Sequence, residues 1–141
     1  MSDLIKPPAA RRPAEALELA AQALSDGDLE AALAQYEEEA VLASWPWAAG
    51  RDFRQSLASV MALRLPVSVR VSAVLERPGL ALVVCTRRIA GTGPDGEPVQ
   101  LDGQGCAVLR PQPDGTWRIA ADAWHTGPGT LARHTGPGMT T

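Results

Sequence analysis

Asp122 stands two residues before Trp124 in the run Thr116 to Trp124, so on an extended chain the carboxylate and the indole share a face. Burial beside an aromatic ring disfavours the charged carboxylate and lifts its pKa towards values useful for proton transfer. The preceding run, Val99 to Arg110, carries Asp102, Gln104 and Cys106 at alternate positions. If Leu109 faces Trp117 across the turn Pro111 to Gly115, the facing pairs are Cys106–Ala120, Gln104–Asp122 and Asp102–Trp124. One side of the sheet then holds Asp102, Gln104, Cys106, Ala120, Asp122 and Trp124, the mixture of polar groups and an aromatic expected of a pocket wall. The other holds Gly105, Ala107, Leu109, Trp117, Ile119 and Ala121, a small apolar surface expected to be covered by another layer or a second subunit. A slip of one residue would exchange the two sets.

Each candidate has a plainer role beside the chemical one. Asp122 reads either as an acid/base or as a hydrogen-bonded structural carboxylate that orients a ligand. Tyr36 falls on the apolar stripe of a helix pattern, which implies core packing with its hydroxyl near a cavity. Trp45 and Trp47 flank Pro46 and either line a pocket mouth or pack a loop. Cys106 is expected to be a buried, unreactive thiol, since nothing near it in sequence lowers its pKa.

The elements that must position these groups are marked by local chemistry. Residues 1–12 carry Lys6-Pro-Pro and Arg11-Arg-Pro and read as a flexible arm. Pro13 suits the first position of a helix, and Leu17, Ala20, Ala21 and Leu24 recur on one face of it. Gly27 supplies a left-handed stop and Asp28 an N-cap for a second helix whose stripe is Leu29, Ala32, Leu33 and Tyr36. A short strand from Val41 to Ser44 follows. A third helix starts near Asp52, buries Phe53, Leu57, Val60 and Met61, and stops before Pro66. Strands are expected near 67–75, 80–89, 99–110 and 116–124, joined by turns at Pro78-Gly79, Gly91 to Gly96 and Pro111 to Gly115. Three helices followed by an antiparallel meander make an α+β layer. Beyond residue 125 the chain is rich in Gly, Pro and Thr, and His125-Thr-Gly-Pro-Gly returns at His134, so 126–141 reads as a flexible tail.

Composition narrows the function. A chain of 141 residues is one domain with a real core. Its net charge of −3, spread without blocks, gives no reason to expect nucleic acid. The longest apolar run, Leu80 to Cys85, is far short of a membrane span, and the N-terminus lacks the apolar core of a secretory signal. A cytoplasmic protein is expected. There the two cysteines, Cys85 and Cys106, are free thiols, and no Cys/His spacing calls for a metal or other cofactor.

The order Gly27-Asp28-Leu29, Ala40-Val41 and Asp114-Gly115…Trp117-Arg118-Ile119 resembles the SnoaL-like, ketosteroid isomerase-like branch of the nuclear transport factor 2-like superfamily, over residues 14–124. That resemblance implies a cone-shaped α+β fold, with three N-terminal helices packed on a curved antiparallel sheet. It also implies a pocket for a small apolar organic molecule and a homodimer. It places the isomerase base near Ser44, the oxyanion tyrosine near Ala20 and the oxyanion acid near Cys106, so that chemistry is not retained. Limonene epoxide hydrolases use an Asp–Arg–Asp set. Asp102 and Asp122 could supply the carboxylates, but Gln100 stands where the Arg is needed, so Arg70 or Arg88 would have to substitute. The polyketide cyclases match at Asp122 without the usual histidine partner. The expectation is a ligand pocket with Asp122 as candidate acid/base and Tyr36, Trp45, Trp47, Asp102, Gln104, Cys106 and Trp124 as candidate ligand contacts. A non-enzymatic dimeric binding or assembly module of the same fold is the alternative.

Overall fold

The computed structural model describes residues 7–43 and 52–125. Helix α1, Pro13–Asp26, opens with proline at its first turn, where the missing N–H costs nothing. Its alanine- and leucine-rich face is buried through Ala16, Leu17, Ala20, Ala21 and Leu24. Gly27 ends it at φ 75°, and the Asp28 N–H closes on the Ala23 carbonyl at 2.9 Å. Asp28 then caps α2, Leu29–Leu33, by accepting from the Ala31 N–H at 3.1 Å. Asp52 does the same for α3, Phe53–Met61, accepting from Gln55 N–H at 2.7 Å.

The second helix is shorter than its apolar stripe suggests. It ends at Leu33, and Tyr36 is the first residue of strand β1, Tyr36–Ala43. The Gln35 carbonyl accepts from the Ile119 N–H at 2.8 Å, so the chain leaves the helix by joining a sheet ladder. Tyr36 matches the helical spacing from Leu29, Ala32 and Leu33, but it is a buried, inward position of that strand.

Four longer strands follow: β2 Val67–Arg77, β3 Leu80–Thr92, β4 Pro98–Pro111 and β5 Trp117–His125. The curved, open sheet has the order β1-β5-β4-β3-β2. Its β2 to β5 part is the expected antiparallel meander, while β1 lies parallel to β5 and makes the sheet mixed. The helices cover one face. Ser25 on α1 ties the layers together, accepting from the Val67 N–H at 2.8 Å. The arm expected over residues 1–12 is docked at its end: Ala10 is fully buried and its carbonyl accepts from the Trp117 N–H at 2.9 Å. The expected tail, 126–141, lies outside the described residues.

Register decides which residues face the helices, and here one extra residue matters. Leu109 pairs with Ile119, but Val108 pairs with Ala121, so Ala120 forms a bulge. Leu109 pairs with Ile119 and not with Trp117, so Asp122 faces Ala107 in place of Gln104 and Trp124 faces Gly105 in place of Asp102. The difference is a two-residue slip, which keeps the faces, plus the one-residue bulge, which exchanges them. The inner face carries Val83, Cys85, Arg87, Gly105, Ala107, Leu109, Ile119, Asp122 and Trp124, all buried. The apolar surface expected to await a second subunit is thus, for Gly105, Ala107 and Ile119, the floor under the helices. Asp102, Gln104 and Cys106 go to the outer face. Two adjacent rows cross that outer face from β2 to β1: Leu75, Leu82, Val108, Ala121, Val41, and Ala73, Val84, Cys106, Ala123, Ala43.

Candidate functional site

Three strands bring together a buried charged cluster. Asp122 on β5 is 1% exposed, and its Oδ2 accepts from the Tyr36 hydroxyl at 2.8 Å and from Arg87 Nη2 at 2.8 Å. Tyr36 reaches it from β1, with its ring 4.9 Å from that of Phe53 on α3. Arg87 comes from β3, and its guanidinium carbon lies 5.6 Å from the centre of the Trp124 ring, a cation–π distance.

Arg87 must cross β4 to reach β5, and two glycines open the way. Gly103 pairs with Arg87, and Gly105 pairs with both Cys85 and Trp124. A Cβ at Gly103 would stand 2.5 Å from Trp124 Nε1, and one at Gly105 would stand 2.9 Å from Arg87 Nη1. Alternate glycines on one strand thus make a slot for an indole and a guanidinium.

The electrostatics follow from burial. The Arg87 and Asp122 side chains are 4% and 0% exposed, so each loses nearly all its hydration. Burial opposes the charge on Arg87, but Asp122, Tyr36 and Cys85 together outweigh it and raise the guanidinium pKa above its ordinary value. Tyr36 is held well above the usual phenol range, first by burial and then by the Asp122 charge. Burial pushes the Cys85 thiol up, with the Arg87 charge acting against it. An opposite charge at contact distance favours the ionised form of Asp122. This influence was absent from the expectation of a desolvated acid.

The sequence-derived set divides as follows. Tyr36, Asp122 and Trp124 converge. Asp102 does not: it binds Arg88 at 2.7 Å and Gln100 at 2.9 Å on the outer face. Gln104 and Cys106 are exposed on that same face, so Cys106 is neither buried nor turned to the helices. With Asp102 and Arg88 on the far side, the two-carboxylate hydrolase arrangement does not form around Asp122. The oxyanion acid place near Cys106 likewise faces outward. Trp45, Trp47 and Ser44 lie outside the described residues. Arg87 was missed, although its parity with Val83, Cys85 and Ile89 placed it on the buried side of its strand. Among the described residues no group of three His, Cys, Asp or Glu side chains could hold a metal ion, and no helix is long and apolar enough to cross a membrane. A shallow groove lined by Gln55, Ala58, Ser59 and Ala62 runs along the side of α3 opposite Leu57 and Val60, away from the cluster.

No family model and no curated protein matches the chain. Solved structures do. A ketosteroid isomerase-like protein from Erwinia carotovora atroseptica superposes with a TM-score of 0.63 at 20% identity, covering 79% of this chain and 91% of that one. A candidate dehydratase of the nuclear transport factor 2-like family from Streptomyces avermitilis gives 0.65 at 20% identity, with the same coverages of 79% and 91%. A nuclear transport factor 2-like superfamily protein from Salmonella enterica gives 0.63 at 13% identity, covering 78% and 84%. The chain has the nuclear transport factor 2-like fold, in the form shared with ketosteroid isomerase-like proteins.

Proposed function

We propose that the chain is a small-molecule pocket protein that works in the cytoplasm as a homodimer, with residues 13–125 as its functional domain. Its ligand is a small, largely apolar organic molecule held beside the Asp122 cluster. Asp122 acts on it as acid/base in proton-transfer, cyclisation or hydrolysis chemistry. The observation that carries this reading is a carboxylate 1% exposed, bound by a phenol and a guanidinium and set in the same slot as Trp124. Arg87 favours the carboxylate over the neutral acid, so Asp122 would take a proton before it gives one. Tyr36 donates to the same oxygen and orients it. The structural neighbours support the fold that holds such a pocket, and several carry enzyme names of their own.

A non-enzymatic binding or assembly module is the second reading. It is favoured by the direct contact of Arg87 with Asp122, since a carboxylate neutralised by its own arginine is also a common structural device. Native mass spectrometry of protein purified from its source tests both. Retention of a small apolar molecule by wild type, with its loss in Trp124→Leu, supports a pocket. Its chemical conversion by wild type but not by Asp122→Asn supports catalysis. Wild type that carries no molecule and binds none added from an apolar metabolite extract refutes the pocket.

A further inference from the structure

The direction of one buried hydrogen bond narrows what can bind beside the cluster. Arg87 keeps its proton, and its Nη2 lies 2.8 Å from Asp122 Oδ2, which favours the ionised carboxylate. An ionised carboxylate only accepts. The Tyr36 hydroxyl lies 2.8 Å from the same oxygen, so the phenol donates there. The reverse arrangement, a neutral Asp122 donating to the phenol, would strand the guanidinium beside an uncharged partner at side-chain exposures of 4% and 0%.

A hydroxyl has one proton to give and two lone pairs with which to accept. The proton of Tyr36 is committed to Asp122, and among the described residues nothing donates to its oxygen. Tyr36 is 2% exposed, so bulk solvent reaches that oxygen little, and buried polar groups are ordinarily paired. The oxygen is also held in place. The Tyr36 backbone pairs with Ile119 on β5, and its ring lies 4.9 Å from that of Phe53 on α3. Burial and the Asp122 charge keep the phenol neutral, so it presents lone pairs without a negative charge.

The charge of the cluster limits the ligand further. Asp122 and Arg87 cancel, so an ammonium group would bring an uncompensated second cation into a desolvated site. A carbonyl, ether or epoxide offers acceptors alone and would meet the phenol oxygen lone pair to lone pair. We propose that the ligand binds through a neutral hydrogen-bond donor on its apolar body, an O–H or an uncharged N–H, which the Tyr36 oxygen accepts. This deepens the pocket proposed above and rests on it. It reverses the part of an oxyanion-holding tyrosine, which gives its proton to the ligand. Here Asp122 already has that proton, and Tyr36 selects donors.

Calorimetric titration at pH 7 with probes that share one apolar body tests it: 2-naphthol, 2-methoxynaphthalene and 2-naphthylmethylammonium. Wild type should bind 2-naphthol about five- to tenfold more tightly than the ether, the size of one net hydrogen bond. Tyr36→Phe keeps the ring and removes the oxygen, and should bring that preference below about twofold. Should Tyr36→Phe not fold, a carbon-13 label at Cζ of the single tyrosine carries the test in wild type. Its resonance should move with 2-naphthol and stay in place with the ether. Equal binding of the two by wild type, a preference that survives Tyr36→Phe, or a Cζ signal that moves equally with both overturns the donor assignment and leaves the pocket standing. An ammonium probe that binds as tightly as 2-naphthol overturns the neutral class. Wild type that binds none of the probes overturns the pocket and this proposal with it.

Discussion

Replacing Arg87 by methionine removes one half of a buried ion pair while keeping most of its volume. Side-chain exposures of 4% and 0% leave little solvent screening, so the stranded carboxylate is the main cost. Two routes give the same magnitude. Breaking a buried pair from one side costs about 3–5 kcal/mol. Alternatively, Asp122 takes up a proton, and neutralising an acid of unperturbed pKa about 3.9 at pH 7 costs about 4 kcal/mol at 1.36 kcal/mol per unit. Against a total stability of roughly 5–15 kcal/mol this is a large fraction. In the variant the folded state holds its proton more tightly than the unfolded state. The deficit is therefore greatest at neutral pH and shrinks as pH falls towards 4. Denaturant unfolding followed by tryptophan fluorescence at pH 7 and pH 5 measures it. The double variant Arg87→Met/Asp122→Leu should recover at least half the loss, because neither charge remains. A single variant within about 1 kcal/mol of wild type at pH 7 would refute the buried pair. So would a double variant no more stable than the single.

Tyr36 is the only tyrosine in the chain, so its ionisation is readable by tyrosinate absorbance. Its pKa is raised in the fold, so its contribution to stability is complete below about pH 10 and is lost as pH rises beyond that. Tyrosinate should appear only with unfolding, and a reversible titration near pH 10 in folded protein would show an exposed phenol. Gly103→Ala forces a Cβ against Trp124 and the His125 carbonyl, 2.8 Å away. It should cost about 1–3 kcal/mol by thermal denaturation, and a neutral result would mean the slot is loose. Arg64 has a left-handed φ of 56°. Arg64→Gly should stabilise by a few tenths to about 1 kcal/mol, since the strain of about 1–2 kcal/mol exceeds the added unfolded-state entropy. A loss of stability would mean the Arg64 side chain contributes packing instead.

Much of the fold is legible because its signals are local. Pro13, Gly27-Asp28, Asp52, Pro78-Gly79 and Asp114-Gly115 act within a few residues of themselves, and each sits at a boundary in the structure. What escapes is non-local. Tyr36 meets a helical and a strand period equally well, and only the pairing of Gln35 with Ile119 decides between them. The Ala120 bulge leaves no mark in Ile119-Ala-Ala121, where three apolar residues carry no parity. Asp122 and Trp124 kept a shared face because alternation within a strand survives a slip, whereas Asp102, Gln104 and Cys106 lost their place because pairing between strands does not. Arg87 needed the strand order to be known, since β4 separates it from Asp122. Its parity with Val83, Cys85 and Ile89 and the glycines at 103 and 105 were the signals available for it.

Ala120 also sets how this protein can evolve. Because a pleated strand has a period of two, a single inserted residue works as a phase shifter: Ile119 and Asp122, an odd number of positions apart, look the same way. Deleting that one codon would leave Ile119 and Asp122 two positions apart and still on one face, so the strand would lose its kink and keep its sides. Flattening the bulge with every residue kept is what would turn Ala121 and Ala123 inward in place of Asp122 and Trp124. Substitutions that keep the bulge can tune the cluster gradually, but regular pairing of the same residues exchanges its inside for its outside in one step.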